Sequence, residues 1–160
     1  MMPSEVEIIT LESRPGARAR IICFPAAGAT GAAFADWTDH LGDIEVATIR
    51  RQVEMTEYAT LVARVTEAVR ASVETVSIPY ALFGHSFGGL LAFEVAHQLE
   101  RLHIQQPLGL LITSTNHPQA SHPQLMDPPV QEWTRADWVR YLHHQGGTSW
   151  AVLDNQVQLS

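Results

Sequence analysis

Short apolar runs alternate with amphipathic stretches along the first two thirds of the chain. Four runs have the length and composition of buried strands, at residues 20–24, 44–49, 80–83 and 108–113. Such runs, when bounded by Gly or Pro, are typical of parallel strands that are covered on both faces. We expect residues 20–24 to be the first ordered segment of the chain.

Between these runs, apolar residues recur at helical spacing. The predicted inward faces are Phe34, Trp37, Thr38 and Leu41 in a first helix, Tyr58, Leu61, Val62, Val65, Val69 and Val73 in a second, and Leu91, Val95, Leu99 and Leu102 in a third. The alternation of strands and helices predicts an α/β fold, with a mostly parallel sheet flanked by helices and right-handed crossovers.

The pattern changes after Ser114. Residues 116–129 contain three proline turns and little that could pack in a sheet. A further helix is predicted from Thr134 to about residue 144, with Thr134 as the N-cap. Its predicted inward residues are Trp138, Tyr141 and Leu142.

Composition and charge exclude several classes of protein. The 160 residues suffice for one domain with a real core, and 10 Lys and Arg against 17 Asp and Glu give a net charge of −7. An acidic chain without a basic run is not expected to bind nucleic acid or an anionic membrane. No apolar stretch reaches the ~20 residues of a membrane span, and the acidic N-terminus does not fit a signal peptide. We expect a soluble, cytoplasmic protein.

The single cysteine, Cys23, excludes an intrachain disulfide framework and a multi-cysteine metal cluster. Because burial in a strand raises the pKa of a thiol, Cys23 is expected to be inert. The histidines lack the spacing of zinc ligands, so we expect no metal site.

Gly84-His85-Ser86-Phe87-Gly88 carries the strongest chemical signal. This G-x-S-x-G motif lies between a predicted strand and an amphipathic helix, the context in which a tight turn exposes a nucleophilic serine. Ser86 is therefore the predicted catalytic nucleophile. The alternative is a glycine-rich packing turn in which Ser86 only caps the helix.

Acyl transfer by a serine also needs donors for the developing oxyanion. We predict that one donor is the backbone N–H of Phe87, directly after the nucleophile. The second is expected from the loop after the first strand, at Ala26, with Ala27 as the alternative. The competing interpretation of that loop is a compact turn without a catalytic role.

The serine also needs a histidine base that a carboxylate orients, following it in the order Ser, Asp or Glu, His. His85 adjoins the nucleophile and is expected to pack or to support the site rather than act as the base. None of the other candidates follows a late strand, as the base and the acid should. These candidates are His97, His103, His117, His122, His143 and His144 for the base, and Asp127 and Asp137 for the acid.

The chain resembles the type II thioesterases of polyketide and nonribosomal peptide synthesis. The segments that carry the resemblance are Ile22-Cys-Phe-Pro-Ala-Ala-Gly28, Phe34-Ala-Asp-Trp37, the run from Ala81 through the Ser86 motif to Glu94, and Gly146-Gly-Thr148. The resemblance implies an α/β-hydrolase that removes aberrant or misloaded acyl groups from the phosphopantetheine arms of acyl or peptidyl carrier proteins. It also implies Ser86 as nucleophile and the amides of Phe87 and Ala26 as oxyanion hole.

By this resemblance, residues 1–114 are the N-terminal part of the α/β-hydrolase core and residues 115–160 are part of a mobile helical lid. Trp133 and Trp138 then lie where a lid covers an acyl channel. No cofactor is expected, since phosphopantetheine belongs to the substrate. The family continues through strands that bring the catalytic Asp and His, whereas this chain stops at Ser160 before both. Alone, it is expected to be weakly active or inactive.

Two departures from the family pattern concern the entry to the site. Ala26 and Ala29 replace an aromatic residue and a second glycine of the F-P-Y-A-G-G loop, and residues 49–52 read I-R-R-Q instead of L-P-G-R. Two other functions stay open: a thioesterase-like module that binds carrier proteins without turnover, and an esterase or acyltransferase on the same fold. We also expect an unpaired apolar edge at the fourth predicted strand, which favours self-association.

Overall fold

The computed structural model describes residues 6–51 and 57–115, together with Thr134, Ala136, Asp137 and Arg140. The chain divides into two units, residues 1–120 and 121–160, and the sheet described below belongs to the first. Several predictions lie outside the described residues: the proline turns of 116–129, the inward face of the last helix, Asp127, Trp133, and the histidines at 117, 122, 143 and 144.

The first unit is a five-stranded sheet with helices. The elements are β1 (Val6–Thr10), β2 (Ala19–Phe24), a 3₁₀ helix (Gly31–Asp39), β3 (Ile44–Arg51), α1 (Tyr58–Thr75), β4 (Tyr80–His85), α2 (Phe87–Arg101) and β5 (Leu110–Thr113). The strand order is β1-β3-β2-β4-β5. All neighbouring pairs are parallel except β1 with β3. The predicted α/β fold with a mostly parallel sheet is confirmed.

The first strand corrects the expectation that residues 20–24 begin the ordered chain. β1 precedes them and runs antiparallel to β3, from the pair Val6↔Arg51 to the pair Thr10↔Ala47. The apolar pattern of the sequence does not predict β1, because only Val6 is fully buried, whereas the rest of the strand is half-buried. An antiparallel edge strand of this kind has no continuous apolar run.

The main core lies between one face of the sheet and helices α1 and α2. The predicted inward residues of both helices are buried, with one exception in each. Tyr58 is 43% exposed and Leu102 is 60% exposed. Tyr58 is the first residue of α1, and Leu102 follows the last residue of α2, so neither lies over the middle of the sheet.

A smaller core covers the opposite face of the sheet. Phe34 packs there with Cys23 and Val46, and Trp37 and Leu41 lie at its margin. The predicted α-helical turn is instead a 3₁₀ helix. In 3₁₀ geometry residues three apart eclipse each other, so Phe34 and Trp37 still face the sheet together. The two rings meet edge to face at 5.4 Å.

Thr134 caps the last predicted helix, as expected. Its Oγ1 accepts a hydrogen bond from the N–H of Asp137 at 3.3 Å. Asp137 Oδ2 in turn accepts from the N–H of Thr134 at 2.8 Å and from its hydroxyl at 2.6 Å. This reciprocal arrangement is a capping box with aspartate at the third helical position. The same hydrogen bonds from Thr134 lower the pKa of Asp137.

Candidate active site

Ser86 lies on the turn that joins β4 to α2. Its backbone has φ 54° and ψ −121°, a combination that costs a non-glycine residue on the order of 1–3 kcal/mol. His85 ends the strand and Phe87 begins the helix, so a single residue makes the change of direction. The predicted strand–turn–helix context is therefore present around Ser86.

Three glycines let α2 approach the sheet closely enough to form this turn. A Cβ on Gly84 would lie 2.4 Å from the carbonyl oxygen of Gly88, and a Cβ on Gly88 would lie 2.1 Å from the carbonyl oxygen of Phe24. A Cβ on Gly89 would lie 2.8 Å from the side chain of Ile112. Real Cβ atoms essentially never approach other atoms this closely, so the turn requires glycine on both sides of Ser86.

The contact of Gly88 with the end of β2 brings the loop after that strand beside the first turn of α2. The loop folds back on itself, with the N–H of Ala29 donating to the carbonyl of Ala26 at 3.1 Å and with Gly28 at φ 75°. Ala26 is half-buried, whereas Ala27 is exposed. Both predicted oxyanion donors, the amides of Phe87 and Ala26, therefore lie on segments that meet beside Ser86.

Helix α2 also contributes its electrostatics to this end of the sheet. The first amides of a helix have no acceptor within the helix, and the helix dipole adds partial positive charge there. Phe87 is the first residue of α2, so its amide is one of these. A negative charge that develops next to Ser86 is stabilised by this helix terminus.

His85 points away from α2, as residues alternate across a strand. Its Nδ1 lies 3.1 Å from the hydroxyl oxygen of Thr113 on β5. Tyr58 reaches the site from α1, where its ring meets that of Phe87 edge to face at 6.0 Å. Burial, and to a smaller extent the nearby carboxylate of Glu94, raise the pKa of Tyr58.

The sequence interpretation did not identify Thr113 or Tyr58 as neighbours of the site. Thr113 carried a usable signal, because it is a polar residue that ends an apolar strand at the carboxyl edge of a parallel sheet, where ligand sites form. No sequence signal distinguished Tyr58 from the other residues of the apolar stripe of α1.

The two histidines of the α2 region lie away from Ser86. His97 is about 15 Å along the helix from Phe87 and packs against the ring of Phe93 at 4.7 Å. His103 follows the end of α2 and is exposed. Asp137, one of the candidate acids, caps its own helix through Thr134. Neither histidine is brought to Ser86 by an interaction that the structure records.

Cys23 is fully buried in the sheet, and this burial raises the pKa of its thiol to about 12. The expected burial of Cys23 is confirmed, and the raised pKa keeps its thiol protonated at neutral pH. Across the described ranges, the side chains of His, Cys, Asp and Glu form no group of three that could hold a metal ion. None of the helices among these residues has the length and apolarity that crossing a membrane would need.

The chain is similar to known proteins in both sequence and fold. The chain is similar to the medium-chain S-acyl fatty acid synthase thioesterase of Anas platyrhynchos, with 29% identity over 154 residues that cover 89% of this chain and 59% of the relative. It is also similar to the structure of RedJ, a thioesterase of the prodiginine pathway in Streptomyces coelicolor. That match has 28% identity and a TM-score of 0.70, and it covers 92% of this chain and 59% of RedJ.

A third relative is YbtT, a type II thioesterase of the yersiniabactin NRPS/PKS pathway. This match has 25% identity and a TM-score of 0.65, and it covers 95% of this chain and 63% of YbtT. The chain thus spans less than two thirds of the length of each of these proteins. The sequence pattern of the thioesterase domain matches residues 19–158. The chain therefore belongs to the thioesterase family, and it shares its fold with type II thioesterases of polyketide and nonribosomal peptide pathways.

Proposed function

We propose that this protein is a serine thioesterase that hydrolyses aberrant or misloaded acyl groups from the phosphopantetheine arms of acyl or peptidyl carrier proteins. The observation that carries the proposal is the strained conformation of Ser86, at φ 54° on the turn before α2. Strain of this kind is kept only where the surroundings impose it, and it is typical of the nucleophile turn of α/β-hydrolases. Family membership supplies the thioester as the bond that is attacked.

In the proposed reaction, Ser86 Oγ attacks the carbonyl carbon of the thioester, and the carbonyl oxygen becomes negatively charged. The amides of Phe87 and Ala26 donate to this oxygen, and each such donor typically contributes about 3–4 kcal/mol in the transition state. The C–S bond then breaks, and the phosphopantetheine thiol leaves with a proton. Water attacks the acyl-serine ester, which releases the carboxylic acid and restores the Ser86 hydroxyl.

The Ser86 proton must pass to a base during the attack, because a serine at its free pKa is a poor nucleophile. The resemblance implies a histidine that an aspartate orients, and no residue in the described part of the chain is assigned that role. We propose that the protein needs no metal and no cofactor of its own, since the phosphopantetheine arrives with the carrier protein. The proposed location is the cytoplasm, where such synthases work.

The test is the release of free thiol from acyl-N-acetylcysteamine thioesters and from acyl-loaded carrier protein. We expect Ser86→Ala to abolish whatever turnover the protein shows; where a histidine base is in place, loss of the nucleophile lowers kcat by at least about 10³-fold in serine hydrolases. Ser77→Ala is the matched control, because Ser77 is an exposed serine near the opposite, amino end of β4. It should leave the rate unchanged.

Two results would replace the proposal by one of its alternatives. Carrier protein that binds without any Ser86-dependent turnover would indicate a binding module. Ser86-dependent turnover that prefers oxoesters to thioesters would indicate an esterase or acyltransferase.

A further inference from the structure

Thr113, the last residue of β5, contacts the nucleophile turn in two ways. Its carbonyl oxygen accepts a hydrogen bond from the N–H of Ser86 at 2.9 Å. Its hydroxyl oxygen lies 3.1 Å from Nδ1 of His85. The main chain and the side chain of one residue thus hold two consecutive residues of the G-x-S-x-G motif.

The position of this double contact matters because β5 ends there. His85↔Thr113 is the last pair between β4 and β5, and Ser114, the next residue, has φ 56°, so the chain leaves the sheet at once. β5 has only four residues, and within the described part of the chain β4 is its one neighbour in the sheet. A short strand at the edge of a sheet frays easily at its end, and here that end anchors Ser86.

We infer that His85 and Thr113 are a pair of positioning residues for the nucleophile. The hydrogen bond between their side chains fixes the last pair of the β4–β5 ladder. That pair keeps the carbonyl of Thr113 aimed at the N–H of Ser86, which holds Ser86 in its strained conformation and Phe87 at the start of α2. Neither residue touches the reacting atoms in this scheme. The inference rests on the proposed function only in taking Ser86 as the nucleophile.

The pairing also accounts for two features of the sequence. A histidine follows Gly84 on a strand whose other side chains are largely apolar, and a threonine ends an otherwise apolar run at residue 113. Both side chains are exposed, so burial does not require either to be polar. Their mutual hydrogen bond gives each a reason to be present.

The first test measures hydrogen exchange of the Ser86 amide by NMR, which needs no turnover. Thr113→Val removes the hydroxyl at nearly constant shape, and His85→Leu removes the ring nitrogens. Each should speed exchange of this amide by about 2- to 10-fold, the value of one hydrogen bond. The double variant should exchange no faster than either single variant, because both remove the same bond.

Conservative variants and a distant control complete this test. Thr113→Ser keeps the hydroxyl, and His85→Asn keeps a polar atom near the position of Nδ1, so both should stay close to the original exchange rate. Thr75→Val is the matched control, because Thr75 is an exposed threonine whose hydroxyl donates to the carbonyl of Ala71 at 2.8 Å in α1. It should leave the Ser86 amide unaffected.

The second test measures thioester hydrolysis by the same variants. Thr113→Val and His85→Leu should lower kcat by about 2- to 10-fold with KM unchanged, because a displaced nucleophile weakens the transition state and not substrate binding. Unchanged exchange in both variants, or additive effects in the double variant, would overturn the pair. Faster exchange with kcat unchanged would overturn its role in positioning. If the original protein binds carrier protein but shows no Ser86-dependent hydrolysis, the binding module replaces the proposed function, while the exchange data still decide whether the pair holds the turn.

Discussion

Replacing Gly88 with alanine tests how the nucleophile turn is built. The new Cβ would lie 2.1 Å from the carbonyl oxygen of Phe24 and 2.5 Å from that of Pro25. To reach 3.0 Å, the lower limit of real Cβ contacts, α2 and the end of β2 must separate by about 0.9 Å. Both contacts are with backbone, which has no flexible end that could move aside.

Two effects of opposite sign determine the outcome for Gly88→Ala. Alanine favours the helical conformation over glycine by about 1 kcal/mol. Overpacking costs about 1–3 kcal/mol in ordinary cores, and a double clash with backbone belongs at or above the top of that range. We expect a net loss of about 2 kcal/mol in the free energy of unfolding, which would lower Tm by about 4–8 °C in a protein of this size.

Urea and thermal unfolding of Gly88→Ala should be compared with two control glycines. Gly109 has open space around its Cα and an ordinary φ, so Gly109→Ala should change stability by less than about 0.5 kcal/mol. Gly16 also has open space but lies at φ 82°, so Gly16→Ala isolates the cost of backbone strain, about 1–2 kcal/mol. A Gly88→Ala variant as stable as the original protein would refute the steric reasoning, because helix propensity would then outweigh the contacts.

Three further predictions concern the core and the sheet edge. Arg20 and Glu45 form a buried ion pair, in which Nε of Arg20 lies 2.6 Å from Oε2 of Glu45. Arg20→Met should lower the free energy of unfolding by about 3–5 kcal/mol, because it leaves a buried carboxylate without its partner. The double variant with Glu45→Met should recover most of that loss, as measured by urea unfolding. Burial raises the pKa of Cys23 and of Tyr80 to about 12. The stability that their neutral forms provide is therefore complete below their ordinary pKa values of 9.0 and 10.0 and is lost as the pH rises toward 12. Unfolding midpoints that do not decrease between about pH 9 and 12 would contradict this prediction. Leu111 on the edge strand β5 is 50% exposed, so the 160-residue chain should self-associate when its mass is measured by analytical ultracentrifugation. Leu111→Lys should reduce this association. A monodisperse monomer of 17.7 kDa would contradict the prediction.

The strands and helices of the core followed from periodicity because burial leaves a strong pattern. β2, β3 and β4 are covered on both faces, which makes their sequences largely apolar, with the buried polar residues Arg20, Glu45 and Thr48 as exceptions. The stripe of α1 from Leu61 to Val73 is buried as a unit. The errors lie where burial is partial. β1 is a half-buried edge strand, and Tyr58 and Leu102 lie at helix ends.

In the candidate active site, too, the features that depend on local sequence were predicted. The sequence by itself determined the turn around Ser86, because Gly84 and Gly88 are local requirements of a strand that passes directly into a helix. It also indicated the loop at Ala26, since the topology of parallel strands brings the carboxyl ends of β2 and β4 to one edge. The roles of Ser86, Phe87 and Ala26 in catalysis remain predictions that the proposed assays address.

Only the tertiary structure decided which distant residues meet the turn. Thr113 lies 28 positions from His85, and Tyr58 lies on a different helix from Phe87. No local pattern encodes such distances, because the register of β4 against β5 and the packing of α1 on α2 arise from how whole faces fit together. Contacts of side chains outside the periodic hydrophobic pattern, such as those of Thr113 and Tyr58, therefore could not be predicted from the sequence and were found only in the folded structure.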